Sequence, residues 1–215
     1  MLIPFWFQRL SIILILSVTK LNLISCDSTI NEALNWAEVT GSRLVECHYD
    51  KITGLWPDEL RWQSGNTIET LANLLSLSDS SLKFVFHQTY MRTTMFVGGD
   101  CFDDYQWWLL GWIQAYQVDP NIDYLKRAAK IFDFVSSNAW NTSTCHGGIQ
   151  WCPKNAYKNA ITNELFLISC MRLHPYATLI GKSSNYYLDW ALKEWLWFEQ
   201  SGLINSNYLI NDGLK

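Results

Sequence analysis

Apolar residues recur at intervals of three and four along most of this chain, which is the spacing of helices that bury one face. In the first such segment Ile30, Ala33, Leu34 and Ala37 follow this interval. No segment alternates apolar and polar residues as a half-buried strand does. The pattern therefore predicts an all-α protein.

Seven helices are predicted, joined mostly by short breaks. Asp119-Pro120-Asn121 interrupts the periodicity, and Gly202 is a suitable stop after the last helix. The longest predicted loop runs from Trp140 to Tyr157. The predicted helices lie at about residues 30–45, 67–77, 82–91, 103–117, 124–135, 159–173 and 185–200.

One helical motif occurs twice. Residues 124–134 and 187–197 share Tyr-Leu, Ala, Lys and two aromatic residues at the same positions, at an offset of 63 residues. A repeat of that length, two helices with their loops, predicts stacked αα-hairpins. Seven helices form only three to four hairpins. The chain is therefore expected to be a truncated part of a larger array of hairpins.

Composition and charge limit the classes of function that this chain is expected to have. The 215 residues are enough for one domain, and a net charge of −4 with a pI near 5.5 excludes a basic surface for nucleic acid. Twelve tryptophans and ten tyrosines are unusually many. A helical core accounts for part of them, and the remainder points to a carbohydrate cleft, since a buried indole N–H needs a partner.

The first 26 residues resemble a secretory signal peptide. Arg9 precedes the nine-residue apolar run Leu10–Val18, which is too short to span a bilayer. Two alternatives stay open: Leu23-Ile-Ser-Cys26 is similar to a lipidation signal, and the segment is also compatible with an uncleaved anchor. The mature domain is predicted at residues 27–215, with no stable membrane span and an extracellular or cell-wall location.

Export predicts oxidised cysteines. Removal of Cys26 with the signal leaves five, so one is expected to be unpaired. Cys145 and Cys152 flank a short glycine-containing loop and are the easiest local pair to imagine. The spacing fits no standard zinc pattern, so we interpret the cysteines as disulfides rather than metal ligands.

Two adjacent aspartates stand at the head of a tryptophan-rich helix, in Asp103-Asp104-Tyr-Gln-Trp107-Trp108. Sugar cleavage uses such a pair, because one carboxylate stabilises or attacks the anomeric carbon while the other exchanges a proton with the glycosidic oxygen. Aromatic rings provide apolar faces for the pyranose. An acidic first turn that complements the helix dipole is the simpler alternative.

Several segments together resemble glycoside hydrolase family 76, the endo-α-1,6-mannanases, over about residues 30–215. Within the family, the sequences of these segments are most similar to those of secreted fungal members. The resembling segments are Trp62-Gln-x-x-Asn66, the aspartate pair with Trp107-Trp108, Cys145-His-Gly-Gly-Ile-Gln-Trp151, Tyr157-Lys-Asn-Ala-Ile-Thr-Asn163, Tyr187-Leu188 with Ala191 and Trp195, Gly202-Leu-Ile204 and Asn211-Asp-Gly213.

The resemblance implies an (α/α)6 barrel of six hairpins, of which this chain would hold about the N-terminal half to two-thirds. It implies hydrolysis of α-1,6-mannosidic bonds with retention, with mannan or another mannose-containing polysaccharide as the partner. It implies no metal or organic cofactor. Asp103 corresponds to the nucleophile and Asp104 to the general acid/base.

Nine further residues are predicted to bind the substrate. Trp151 would stack on a mannose ring, and Gly148 would let the backbone approach the ligand. Other roles explain several of them equally well: Asn159 is a suitable helix cap, and a core accommodates tryptophans. The full set is Trp62, Asn66, Gln106, Trp107, Gly148, Trp151, Lys158, Asn159 and Asn163.

Two alternatives to a secreted mannanase stay open. A cell-wall transglycosylase would share the covalent intermediate and pass the glycan to another sugar rather than to water. A half-barrel without catalytic activity would bind mannan through its tryptophans alone.

Overall fold

The computed structural model describes residues 27–57, 61–78, 80–97 and 99–214. The predicted signal peptide, residues 1–26, lies outside the described residues. The chain divides into two compact units, residues 1–36 and 37–215. Of the first unit, the described part is the beginning of the first helix. The features below belong to the second.

Seven α-helices account for most of the described residues, as the apolar periodicity predicts. The second helix begins at Arg61, six residues before the predicted start at Thr67. Its first turns bury Ser64 and Gly65 rather than apolar residues, so the hydrophobic pattern does not reveal them. The helices are α1 (Asp27–His48), α2 (Arg61–Leu75), α3 (Phe84–Arg92), α4 (Phe102–Val118), α5 (Ile122–Ala139), α6 (Ala160–Leu173) and α7 (Tyr186–Gln200).

Helix α4 is the centre of the packing. It contacts α2, α5 and α6, and α6 in turn contacts α7. Thus α2, α4 and α6 follow one another in one row, while α5 and α7 each pack as the second helix of a hairpin. None of the described helices combines the length and the apolar character that crossing a bilayer requires.

Two glycines bring α2 and α4 close together. A Cβ atom on Gly111 would lie 2.7 Å from the carbonyl oxygen of Gly65, and a Cβ on Gly65 would lie 3.0 Å from the backbone nitrogen of Trp108. Backbone atoms cannot move aside as a flexible side chain can. The two glycines therefore set the spacing between the helix that carries the aspartate pair and its neighbour.

Aromatic rings fill much of the core, as the tryptophan count leads one to expect. Trp108 and Trp112 stack at 5.9 Å between ring centroids, and Trp112 stacks on Tyr124 at 5.5 Å. Tyr124 and Tyr187, which occupy the same position in the repeated motif, are both fully buried. The repeat thus corresponds to equivalent inward-facing positions on α5 and α7.

A two-stranded antiparallel pair joins β1 (Lys158–Asn159) to β2 (Gly213–Leu214). Strands of two residues are too short to produce an alternating pattern, so the sequence does not predict them. The pair places the segment after α7 beside the end of the long loop between α5 and α6. That loop also touches the aspartate pair.

Replacing Gly111 with alanine should destabilise the fold by about 1–3 kcal/mol, because the added methyl overlaps the α2 backbone. The measurement is the free energy of unfolding in urea. Gly41→Ala is the matched control: its methyl would meet Leu74 Cδ2 at 2.7 Å, the tip of a side chain that can rotate. Equal stabilities of the two variants would contradict close packing of α2 on α4.

Candidate active site

The aspartate pair occupies the first turn of α4, where unsatisfied backbone N–H groups favour negative charge. Asp104 Oδ2 accepts a hydrogen bond from the backbone nitrogen of Cys101 at 3.2 Å. Asp103 Oδ1 accepts one from the backbone nitrogen of Asp104 at 3.0 Å. The two aspartates therefore do complete the start of the helix, which is the simpler role considered for them. Both side chains are only partly buried.

The two carboxyl groups lie close together. One carboxylate oxygen of Asp103 and one of Asp104 are within 4.8 Å of each other. That is comparable with the separation of roughly 5–5.5 Å between the carboxyl groups of retaining glycosidases. The sulfur of Cys101 lies in the same cluster, but it forms a disulfide and so offers no thiolate to a metal ion.

Burial and hydrogen bonding affect the pKa values of the two aspartates differently. Burial raises the pKa of Asp104 to about 6; the Cys101 N–H lowers it, and the negative charge of Asp103 adds to the rise. Burial also raises the pKa of Asp103, but hydrogen bonds from the Trp151 indole and from the backbone act against this rise. The pair therefore has one acid suited to carry a proton and one supported in its charged form.

Trp151 holds the loop between α5 and α6 against the start of α4. Its indole Nε1 donates to Asp103 Oδ2 at 2.9 Å. Its carbonyl oxygen accepts from the backbone nitrogen of Phe102 at 2.7 Å, and its backbone nitrogen donates to the carbonyl of Tyr157 at 2.9 Å. The ring and backbone of one residue are thus fixed by three bonds, and the ring meets the candidate nucleophile.

A disulfide links Cys101 and Cys152 at a Cα–Cα distance of 4.2 Å, so the pairing of Cys145 with Cys152 imagined from the sequence is wrong. The backbone bond between Phe102 and Trp151 brings the neighbouring cysteines together although they are 51 residues apart. Cys47, Cys145 and Cys170 are free thiols among the described residues, which also corrects the expectation of a single unpaired cysteine.

Trp62 and Trp107, both predicted to bind substrate, lie together with ring centroids 6.3 Å apart. Trp107 stands one helical turn after Asp103 and so shares its face of α4. Asn66 stands one turn after Trp62 on α2, and its Oδ1 has no hydrogen-bond partner among the described residues. All three are half-buried. Their contact with a sugar stays a prediction.

The other predicted binding residues are directed into the protein. Gln106, fully buried, donates from Nε2 to the carbonyl of Thr162 at 2.9 Å. Asn159 caps α6, the alternative role considered for it. Asn163 holds Ile149 from both sides, accepting from its nitrogen at 2.6 Å and donating to its oxygen at 3.0 Å.

Gly148 and Lys158 also have internal roles. Gly148 has a φ of +81° and lies against the ring of Trp197, where any side chain would overlap the indole. Lys158 is fully buried, and its amino group donates to backbone carbonyls of the same loop. With Gln106, Asn159 and Asn163, these residues hold the backbone around the candidate site.

Tyr157 and Asp212 lie beside the candidate site, and sequence reasoning did not single them out. The Tyr157 hydroxyl donates to Asp212 Oδ2 at 2.5 Å, and the Tyr157 ring meets the Trp151 ring edge-on at 6.1 Å. Both belong to segments that carry the family resemblance. The signal was therefore present, but only the β1–β2 pairing brings them together.

The model of Glycosyl hydrolase family 76 matches residues 45–215. The chain belongs to this family. Helices α2 to α7, which lie within the matched residues, accordingly form part of an (α/α)6 barrel of helical hairpins, the architecture of the family's solved structures.

Similar proteins are known in fungi and bacteria. The mannan endo-1,6-alpha-mannosidase DFG5 of Candida albicans is 32% identical over 101 residues, which cover 43% of this chain and 21% of that protein. Dfg5 from Chaetomium thermophilum, in complex with glucosamine, has a TM-score of 0.66 and 22% identity, covering 85% of this chain and 50% of that one.

A bacterial relative provides a substrate complex. It is an inactive variant of the α-1,6-mannanase GH76A of a Salegentibacter species, with two consecutive aspartates replaced, bound to α-1,6-mannotetrose. Its TM-score is 0.70 at 15% identity, covering 84% of this chain and 55% of that one. The chain thus spans about half the length of the solved relatives it matches and aligns with about a fifth of the Candida protein.

Replacing Trp151 with phenylalanine should raise the pKa of Asp103, because the indole N–H stabilises the charged carboxylate and phenylalanine cannot donate. The carboxyl carbon resonances of ¹³C-labelled aspartate report this titration. Trp195→Phe, in α7, is the control. An unchanged Asp103 titration in a folded Trp151→Phe protein would contradict the role assigned to the indole.

Proposed function

We propose that this protein is a secreted glycosidase that cleaves α-1,6-mannosidic bonds in mannan or related cell-wall glycans by a retaining mechanism. The observation that supports this most strongly is the aspartate pair at the start of α4, with close carboxyl groups in unequal environments. Asp103 is the nucleophile and Asp104 the general acid/base. The chain's own residues supply both groups.

In the first step, the protonated Asp104 gives its proton to the glycosidic oxygen as the bond to the anomeric carbon breaks. The Asp103 carboxylate attacks that carbon from the opposite face and forms a glycosyl ester. Because the Trp151 N–H occupies one oxygen of Asp103, the indole fixes the direction of the carboxylate during attack.

In the second step, water replaces the departed sugar. Asp104, now charged, accepts a proton from the water, whose oxygen attacks the anomeric carbon and releases Asp103. Two displacements at one carbon restore its configuration. A sugar hydroxyl in place of water would give transglycosylation, which is recognised by products longer than the starting oligosaccharide.

Two further features support the substrate and the location. The Candida and Salegentibacter relatives are named for activity on α-1,6-mannosidic bonds, and the disulfide between Cys101 and Cys152 is of the kind that persists in oxidising compartments. Trp62 and Trp107, paired on the same side as Asp103, are the proposed stacking surface for the mannose rings.

Asp103→Asn and Asp104→Asn should each lower kcat/KM on α-1,6-mannotetraose by about 10²–10⁴-fold or more, because each removes one group from a two-carboxylate mechanism. The enzyme is the full chain expressed in a secreting host that lacks mannanases, and proton NMR of the first product gives its anomeric configuration. Asp123→Asn, at the equivalent first turn of α5, is the control and should retain activity.

A substrate with an activated leaving group separates the two roles. Dinitrophenyl mannoside needs no proton at its leaving oxygen, so Asp104→Asn should still release dinitrophenol in a burst, whereas Asp103→Asn should not. With natural substrate the wild-type rate should fall as the pH rises through about 6, because Asp104 loses its proton there. An inverted product, or full activity in both asparagine variants, would refute the proposal.

A further inference from the structure

Lys158 carries a buried amino group whose hydrogen bonds all go to one loop. The residue is fully buried. Its Nζ donates to the carbonyl oxygens of Asn141 at 2.7 Å and Gly148 at 2.8 Å, and also to that of Gly147. An ammonium group has three donors, and these three acceptors use all of them.

The loop depends on such partners. It turns through positive φ at Cys145, His146 and Gly148, so its carbonyl groups do not enter a regular ladder. Trp197 of α7 closes the opposite side, with Nε1 donating to the carbonyl of Cys145 at 2.7 Å. Buried carbonyls without partners destabilise a structure. Here Lys158 and Trp197 supply side-chain donors, and the backbone nitrogen of Asn141 also donates to the Gly148 carbonyl at 3.4 Å.

The same loop leads directly to Trp151. Asn163 holds Ile149 two residues before it. On the other side, the Tyr157 carbonyl, which is bonded covalently to the nitrogen of Lys158, accepts the backbone N–H of Trp151 at 2.9 Å. The position of Lys158 therefore affects both ends of the segment whose indole donates to Asp103.

Glu194 on α7 is a second buried ionisable group. It is fully buried, and its two carboxylate oxygens have no hydrogen-bond partner among the described residues. Burial lowers the pKa of Lys158 to about 8, and the charge of Glu194 acts in the opposite direction. Burial raises the pKa of Glu194, while Lys158 and Lys193 lower it. Among the described residues the Glu194 carboxyl forms no hydrogen bond with Lys158, so the carbonyl groups of the loop, rather than this acid, hold the lysine amino group.

We propose that Lys158 is a positioning residue: its amino group fixes the loop from Asn141 to Gly148 so that Trp151 stays hydrogen-bonded to Asp103. This role differs from the sugar contact predicted for Lys158 from the sequence. It deepens the proposed function and rests on it for its consequence in catalysis. The structural half is measurable without turnover.

The first test uses the indole N–H resonance of Trp151 in ¹⁵N-tryptophan-labelled protein, assigned with Trp151→Phe. In the wild type this resonance should shift as Asp103, which faces Asp104 and the indole, changes its charge. In Lys158→Met the resonance should lose that pH dependence and exchange faster with solvent. Lys158→Met/Glu194→Gln also replaces the second buried ionisable group, and it should behave in the same way if the single variant does not fold.

Lys182→Met is the control, because the amino group of this partly buried lysine donates to the two carboxylate oxygens of Asp133, at 2.8 and 2.7 Å, instead of to this loop. It should keep the wild-type resonance. A folded double variant in which the Trp151 resonance and its titration are unchanged would overturn the inference. Lys158 would then contribute to stability only.

The second test is kinetic. Lys158→Met, or the double variant, should lower kcat by about 10- to 100-fold with little change in KM, as expected when a reacting group is misplaced while the substrate still binds equally well. A raised KM with unchanged kcat would instead support direct sugar binding and overturn the inference. If the wild type is inactive while its indole responds as described, the positioning role stands and the proposed activity of this chain fails.

Discussion

The junction between Trp151 and the first turn of α4 is the contact on which the rest of the site depends. A backbone hydrogen bond from Phe102 to Trp151, an indole hydrogen bond to Asp103 and the disulfide beside them all join the same two segments. Either segment alone would be an ordinary helix start or an irregular loop. Together they place a donor on one carboxylate of an adjacent pair.

This junction separates the chemistry of two residues that are identical and adjacent. Both aspartates lose solvent, which raises the pKa of each. The indole offsets part of the rise in the pKa of Asp103, whereas the negative charge of Asp103 adds to the rise at Asp104. The fold therefore creates the asymmetry that acid/base and nucleophilic roles require, and the loop behind Trp151, held by Lys158, Asn163 and Trp197, keeps that asymmetry in place.

Sequence reasoning succeeds here where the information is local. Apolar periodicity predicts the helices, and the adjacent aspartates identify the candidate centre because they are neighbours in the chain. It fails where small or polar residues are buried. The start of α2 is hidden by Ser64 and Gly65, and Lys158, predicted to bind a sugar, donates instead to backbone carbonyls inside the protein.

The disulfide illustrates a different limit. Cys145 and Cys152 are near in sequence, but the loop turns Cys145 towards Trp197 and carries Cys152 to Cys101 across a separation of 51 residues. Such pairing follows from tertiary hydrogen bonds that no local pattern contains. The available hint was that Cys101 lies two residues before Asp103 and Cys152 immediately follows Trp151.

We infer that the fold gives the two aspartates different proton affinities. Titration of the aspartate carboxyl carbons in the wild-type chain, assigned with Asp103→Asn and Asp104→Asn, tests it directly. We predict that Asp104 titrates near pH 6 and that Asp103 titrates at a lower pH. Joint titration of both groups near pH 3.9, the ordinary value for an exposed aspartate, would contradict the claim.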